Sequence, residues 1–521
     1  MTNPSTLYRG GVLHCPADPS ATALLVSGGR ITWLGTDGDA PSADRVVDLA
    51  GALVTPAFVD AHVHATDTGL ALSGLELSGV RSAGELLDAV AGFAAGLPAD
   101  AVVLGHGWDE SGWSDATLPD AASLDRAAGS RRVYLSQASI HSALVSSALL
   151  AACPQVVDVA GYDPSGWLRR DAHHVVRAAA QGSVTRAQRV AAQRVALAHA
   201  ASLGIAAVHE CGGPEISDEE DFTGLLGISG AGVPEVYGYW GELGGAARAR
   251  ELGAVGAGGD LFADGALGSR TAHVSQPYGD GEGCGHGYLS VEQVRDHLVD
   301  CAAHGMQGGF HAIGDAAIGT VLDGFAAAAA TLGVERLRAA RHRIEHAEIL
   351  NKRMIARFVE YGIVASMQPA FDRLWGGAGR MYEARLGLDR SLESNPMGAM
   401  HGVGVALAFG SDSPVTPLDP WGSVRAAAAH HNPAQRMSVR AAFAAHTRGG
   451  WRAVHLDVEG VLALGAPATF AVWSTSAGVE RGLPVLLAED PELRGPDDPT
   501  PLPVCRRLVL RGEVIYEEGS S

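Results

Sequence analysis

The sequence predicts an α/β fold built on a (β/α)8, TIM-like barrel, with a small β-domain composed of both termini and an inserted cap. Three observations carry that expectation. Short apolar strands alternate with Ala-rich helical stretches across several hundred residues, which argues for parallel strands joined by helices. Both ends of the chain are instead rich in short β-branched strands punctuated by Gly-Gly and Asp-Gly. Between about 69 and 181 the alternation is interrupted, as an insertion over the barrel mouth would require.

In chain order, LYRGGVLHC (7–15), ALLVSGGRITWLG (23–35) and RVVDLAG (45–51) read as strands and turns. TFAVW (469–473) and RLVLRGEVIYE (507–517) repeat the pattern at the other end. In the middle, GIAAVHE (204–210), GGFHAIG (308–314), RHRIEHAE (341–348), GIVASMQP (362–369) and VALAFGSDSP (405–414) read as barrel strands. Helices are expected over 316–332 and 352–361. No GxGxxG opens a helix after the first strand, which weakens a dinucleotide-binding alternative.

Composition narrows the function classes. With 521 residues, 47% hydrophobic and 18% charged, the chain can bury a large core and is not a disordered segment. Its net charge of −20, without a Lys/Arg cluster, argues against nucleic acid or an anionic membrane as partner. The first ten residues lack a signal-peptide pattern, and no uncharged apolar run approaches the roughly 20 residues of a membrane span. The six cysteines form no CxxC. These readings make a cytoplasmic protein acting on a small molecule the expectation, with a homo-oligomer left open.

The chemistry begins at DAHVH (60–64). Side chains two apart on a strand share a face, so His62 and His64 can bind one ion together. His311 in GGFHAIGD, His346 in RIEHAE and Asp412 in LAFGSDSP each fall at the end of an apolar strand. Barrel function sits at those C-terminal strand ends. Any one of them alone reads as a core histidine or a helix cap; the ordered set HxH…H…H…D does not.

That order resembles the amidohydrolase superfamily, and more narrowly its YtcJ-like branch (amidohydrolase family 3), which includes N-substituted formamide deformylase. The segments that carry the resemblance are VTPAFVDAHVH (54–64), GHGWDESGW (105–113), HSALVSSALL (141–150), LFADGALGSRTA (261–272), FHAIGDAAI (310–318), RIEHAEIL (343–350), ASMQP (365–369) and GSDSPVTPLDPW (410–421). The resemblance implies a barrel at 57–451, carrying the cap, beside a composite β-sandwich of 1–56 and 452–521. It implies a divalent metal, Zn²⁺ above all, as one or two ions held by His62, His64, His311, His346 and Asp412. It implies hydrolysis of a C–N bond by metal-activated water, with Asp412 as proton acceptor.

The chain departs from the pattern in one place. Many relatives carry a lysine just before LFADG, and in some amidohydrolases a carbamylated lysine bridges two metals. Here that position is Asp260, and the only lysine in the chain is Lys352. A carbamate bridge is therefore excluded, and Asp260 becomes a further candidate ligand, with Glu210 as a second carboxylate. As substrate contacts, Trp108 and His141 are candidates from the cap and Arg270 from GSRTA, each with a structural alternative: a packed aromatic, a cap histidine, an arginine paired with an acid. Asp315 reads as a helix N-cap, and His173–His174 as structural. Two other functions remain open: deamination of a heterocycle, disfavoured because no glutamate shortly follows His311, and a non-catalytic scaffold, disfavoured because no ligand residue is lost.

Overall fold

The computed structural model describes residues 4–139, 141–490, 493–495 and 497–519. Eight parallel strands form one sheet in chain order. They are β1 (Phe58–Val63), β2 (Ile205–Gly212), β3 (Glu235–Trp240), β4 (Gly256–Ala257), β5 (Gln307–Ala312), β6 (Arg343–His346), β7 (Val364–Met367) and β8 (Ala406–Phe409). A parallel bridge between Val63 and Ser413 brings the last strand's exit back to the first, as in a TIM-like barrel. The sequence reading did not single out β3 or β4. β4 has two residues, too few for a periodic signal.

The expected helices form as Asp315–Leu332 and Lys352–Tyr361. One detail is corrected: Gly314, not Asp315, takes the N-cap position. Asp315 lies in the first turn, where its charge suits the helix dipole and its Oδ1 accepts from Ser275 N–H at 2.7 Å. By length and hydropathy this helix could cross a membrane. In the fold it packs beside Val291–His304 and buries Val321, Leu322 and Phe325.

The termini do pair. Leu53–Pro56 runs antiparallel to Phe470–Ser474, within a five-stranded sheet completed by Val12–Leu13, Val504–Leu510 and Glu513–Glu517. A four-stranded sheet holds Arg30–Gly35, Ala23–Ser27, Thr6–Arg9 and Arg45–Asp48. Tyr8, Leu24 and Ile31 from one sheet and Val54, Phe470 and Val509 from the other share one apolar core. Position 452, expected as a domain boundary, falls inside the helix Arg448–Ala453.

The chain divides into two compact units, Met1–Ala65 with Leu197–Ser521, and Thr66–Ala196. The second, wider than the insertion read from sequence, has its own five-stranded sheet, with Val133–Gln137 at its centre. Side chains alternate across that strand: Val133 and Leu135 enter one apolar core, Tyr134 another on the opposite face. Gly69 explains the wider span, because a Cβ there would lie 1.8 Å from Ala192 O, a backbone approach open only to glycine.

Candidate metal centre

His62 points from β1 with its ring fully buried. Its Nδ1–H donates to Glu345 Oε2 at 2.9 Å, which turns Nε2 toward Asp260 Oδ2 (3.5 Å) and Asp412 Oδ1 (3.4 Å). His64 Nε2 lies 3.2 Å from each of the same two oxygens. The strands are tied at this point: Asp412 N–H donates to His62 O, and His64 N–H to Ser413 O. Asp60, buried behind the histidines, accepts from Ser411 N–H at 2.9 Å. Gly410 permits this closeness, since a Cβ there would stand 2.5 Å from His62 N.

A second pair faces the other oxygen of Asp260. His311 Nδ1 lies 3.5 Å and His346 Nε2 3.7 Å from Asp260 Oδ1. His311 Nε2–H is held by Gly265 O at 3.3 Å, and His346 Nδ1–H by Gln368 Oε1 at 2.8 Å. Three of the four imidazoles thus have one nitrogen fixed by an acceptor while the other faces the carboxylates. Ligating histidines are oriented in this way.

Local backbone explains why His346 joins the set. On β6, Arg343 and Glu345 face the barrel interior, where Arg343 reaches Ala61 O, His209 and Ser366 on three other strands. Strict alternation would send His346 outward. Its φ of +69° ends the extended geometry and swings the ring back, 4.5 Å from that of His311 between centroids. Asp412 also has a positive φ, +58°. Left-handed backbone at non-glycine residues carries strain and concentrates at functional sites.

Electrostatics follow from the crowding. Burial draws His62 and His64 toward neutrality, but Asp260 and Asp412 reverse that and raise both pKa values well above the ordinary histidine range. For His62, Cys211 pulls in the same direction as those carboxylates. Burial would lift Asp260, yet the surrounding imidazoles hold its carboxyl well below the usual range. Glu345 would likewise rise on burial, and Arg343 beside it keeps it far below that range.

The residues fit a divalent ion. Among the described residues, His62 Nε2, His311 Nδ1 and Asp260 Oδ1 are buried without a hydrogen-bond partner, a costly state for polar atoms unless something else binds them. Donor atoms of His62, Asp260 and His346 lie within 4.8 Å of one another, as do those of His62, His64 and Asp412. Such nitrogen and oxygen sets suit Zn²⁺-like ions.

The remaining candidates fall elsewhere. Trp108 is fully buried in the core of the unit Thr66–Ala196, its Nε1–H on Leu135 O at 2.9 Å; packing, not a pocket wall, accounts for it. His141 is exposed in the same unit. Arg270 forks onto Asp280 at 3.0 and 3.1 Å, the structural pairing that its sequence context left open. Glu210 Oε2 accepts from Ala65 N–H at 2.8 Å. Lys352 is exposed at the start of its helix. His173 is buried against the Tyr134 hydroxyl, and burial pushes its pKa down to about 4.

Sequence reasoning passed over Asp60, Arg343, Glu345, Gln368 and Asp264. Asp264 accepts from the backbone N–H groups of His273, Ile313 and Gly314, fixing the loop after β5. Glu345 carried a signal, a charge in an apolar strand next to a candidate ligand, His346. Gln368 carried only its place in the ASMQP segment.

The barrel thus gathers histidines and aspartates at the C-terminal ends of its strands, a donor set suited to a divalent ion. The model of the amidohydrolase family matches residues 45–516, and the chain belongs to that family. It is 27% identical over 277 residues to the putative amidohydrolase YtcJ of Bacillus subtilis (strain 168), covering 50% of this chain and 47% of that protein. It is 34% identical over 227 residues to the protein LONG AFTER FAR-RED 3 of Arabidopsis thaliana, covering 42% and 38%. The matched stretches therefore span less than half of either relative. Among solved structures, an uncharacterized metal-dependent hydrolase from Pyrococcus furiosus superposes with a TM-score of 0.74 at 24% identity, covering 90% of this chain and 98% of that one.

Proposed function

We propose that this protein hydrolyses a carbon–nitrogen bond, an amide of the N-formyl or N-acyl kind, with Zn²⁺ as its ion. The observation that carries the reading is the placement of Asp260 between two histidine pairs, one on each carboxylate oxygen. His62, His64 and Asp412 would hold one ion and His311 with His346 a second, Asp260 serving both in place of a lysine carbamate. Bound there, such an ion polarises a carbonyl and lowers the pKa of water from about 15.7 toward about 7.

The protein's own groups do the rest. Asp412 accepts the attacking water's proton and returns it to the leaving amine, as a positioned carboxylate can. Glu345, Gln368 and the Gly265 carbonyl keep the histidine rings aimed.

Metal analysis and an amide screen test this. Purified protein should carry zinc or a similar ion, and His62→Ala with His64→Ala should lose most of it. Asp260→Ala should lose about one equivalent per chain if Asp260 serves two ions. Amine release from N-formyl or N-acyl amines should depend on the metal. Full occupancy in the double histidine variant would sink the assignment.

A further inference from the structure

We propose that Arg385 is a positioning residue of the metal centre: with Asp280 and Arg270 it holds, from outside, the turn 265–271 whose first carbonyl aims the ring of His311. This rests on the metal-centre reading above and concerns how His311 is aimed, not which bond is cleaved. The backbone of His311 is fixed by its neighbours, its N–H donating to Leu261 O at 3.0 Å and its O accepting from Ala263 N–H at 2.9 Å. The ring is held differently. Its Nδ1 faces Asp260, while Nε2–H donates to Gly265 O at 3.3 Å, at the start of a closed turn. Within that turn Ala266 N–H donates to Thr271 Oγ1 and Thr271 N–H to Ala266 O, both at 3.1 Å. Gly265 fits against Thr271 because it has no side chain, since a Cβ there would stand 2.1 Å from Thr271 Oγ1. A turn closed in this way shifts as one body, so whatever grips its far side sets where the Gly265 carbonyl lies.

The grip comes from the excursion that follows β7. Arg385, in the helix Met381–Leu386, donates from Nε to Leu267 O at 3.2 Å and from Nη2 to Gly268 O at 3.0 Å. Its Nη1–H donates to Asp280 Oδ2. The same carboxylate receives the fork of Arg270, at 3.0 and 3.1 Å. Gly279 N–H closes the ring of contacts on Arg385 O at 2.8 Å. Arg385 and Asp280 are both partly buried, which shields their pairing from solvent. The planar guanidinium is what lets one side chain bind two carbonyls and a carboxylate at once. Arg270 of GSRTA thus acts on the site through the turn, by sharing Asp280 with Arg385. The rival anchor is the side chain of Leu267, which packs with Phe371 and Tyr382.

Zinc affinity measured by chelator competition, with circular dichroism alongside, decides between them. Loss of a group that orients a ligating histidine typically costs about 10–100-fold in metal affinity. Acting through the turn, Arg385→Ala should cost about tenfold and the milder Asp280→Asn about threefold. Arg385→Lys keeps the charge without the fork and should restore little. The sharpest reading is from double variants. In a His311→Ala background, neither substitution should further weaken the zinc retained by His62, His64 and Asp412. In a His64→Ala background, on the opposite oxygen of Asp260, the losses should multiply. Should Arg385→Ala fail to fold, Asp280→Asn carries the same comparison. Unchanged affinity in the folded variants overturns the proposal and leaves Leu267 as the anchor. A loss that persists in full without His311 overturns it too, because the arginine would then support the whole fold. Wild-type protein that takes up no zinc overturns the metal centre and this proposal with it; zinc uptake without amine release sinks the hydrolase reading alone.

Discussion

The two ends of β1 are built on opposite principles. At its start Phe58 is fully buried, with ring centroids 4.8 Å from Trp421, 5.4 Å from Phe443 and 5.7 Å from Trp473. Two polar edges there are met, Trp473 Nε1–H donating to Thr55 Oγ1 and His446 Nδ1–H to Val59 O, both at 2.9 Å, while Trp421 Nε1–H has no hydrogen-bond partner among the described residues. At the other end stand His62 and His64, with unpaired nitrogens, opposed carboxylates and left-handed backbone at His346 and Asp412. The base is where apolar burial stabilises the barrel. The mouth keeps groups that stability alone would remove, and such local violations mark function.

The sharpest way to test that division is Asp412→Asn, which keeps size and an oxygen but removes the basic carboxylate. Turnover should fall by at least about 10²–10⁴-fold, the usual contribution of positioned proton transfer. Metal content should fall less than in the histidine variants, and far-UV circular dichroism should be unchanged. Near-normal turnover in a folded variant would move the proton acceptor to Asp260 or Glu210.

The base should respond in the opposite sense. Trp473→Ala removes a fully buried indole whose neighbours cannot all collapse, and should cost about 3–5 kcal/mol of unfolding free energy. In the protein that remains folded, metal per chain should be unchanged. Metal loss in proportion to lost stability would break the comparison, because the two ends would then be one cooperative device.

Between these ends lies the Arg343–Glu345–His62 chain, buried under the site. Removing the acceptor of a ligating histidine typically costs about 10–100-fold in metal affinity. Glu345→Ala should show that loss in a chelator competition, and Glu345→Gln, which keeps an acceptor, should recover part of it. If both bind metal as the wild type does, the contact only packs.

What the sequence disclosed follows the same division. The candidate histidines at strand ends were legible because barrel geometry restricts where chemistry sits, and the structure brings His62, His64, His311, His346, Asp260 and Asp412 together. The orienting groups were not, because Gln368 and Gly265 act through tertiary placement with no periodic or spacing signature. β3 and β4 escaped for a related reason: a strand as short as Gly256–Ala257 is specified by its neighbours, not by its own residues. Trp108 stayed open in the sequence because an aromatic in a shared motif reads equally as core or pocket, and in the fold it packs in a core.

The smallest effect concerns pH, and it is carried by histidines of the scaffold. His342, next to β6, is 1% exposed, and its Nδ1 accepts from Gly308 N–H at 2.7 Å. Burial above all, with His297 nearby, pushes its pKa down to about 3. His14 in the terminal β-domain is pushed down to about 4, by burial and then by Arg440. An unfolded histidine titrates near about 6.5. The unfolded chain therefore binds more protons at any pH below that value, and stability must rise with pH. The contribution is complete above about pH 6.5 and is lost as pH falls toward the folded values. From about pH 7 to about pH 5.5, His342 alone should remove about 1 kcal/mol. Urea unfolding of the wild type and of His342→Gln, which keeps an acceptor for Gly308, isolates that share, since effects of acid on the metal centre are common to both. The wild type should lose about 1 kcal/mol more than the variant over this interval. An identical loss would mean that His342 is already protonated in the folded barrel, which its hydrogen bond from Gly308 forbids.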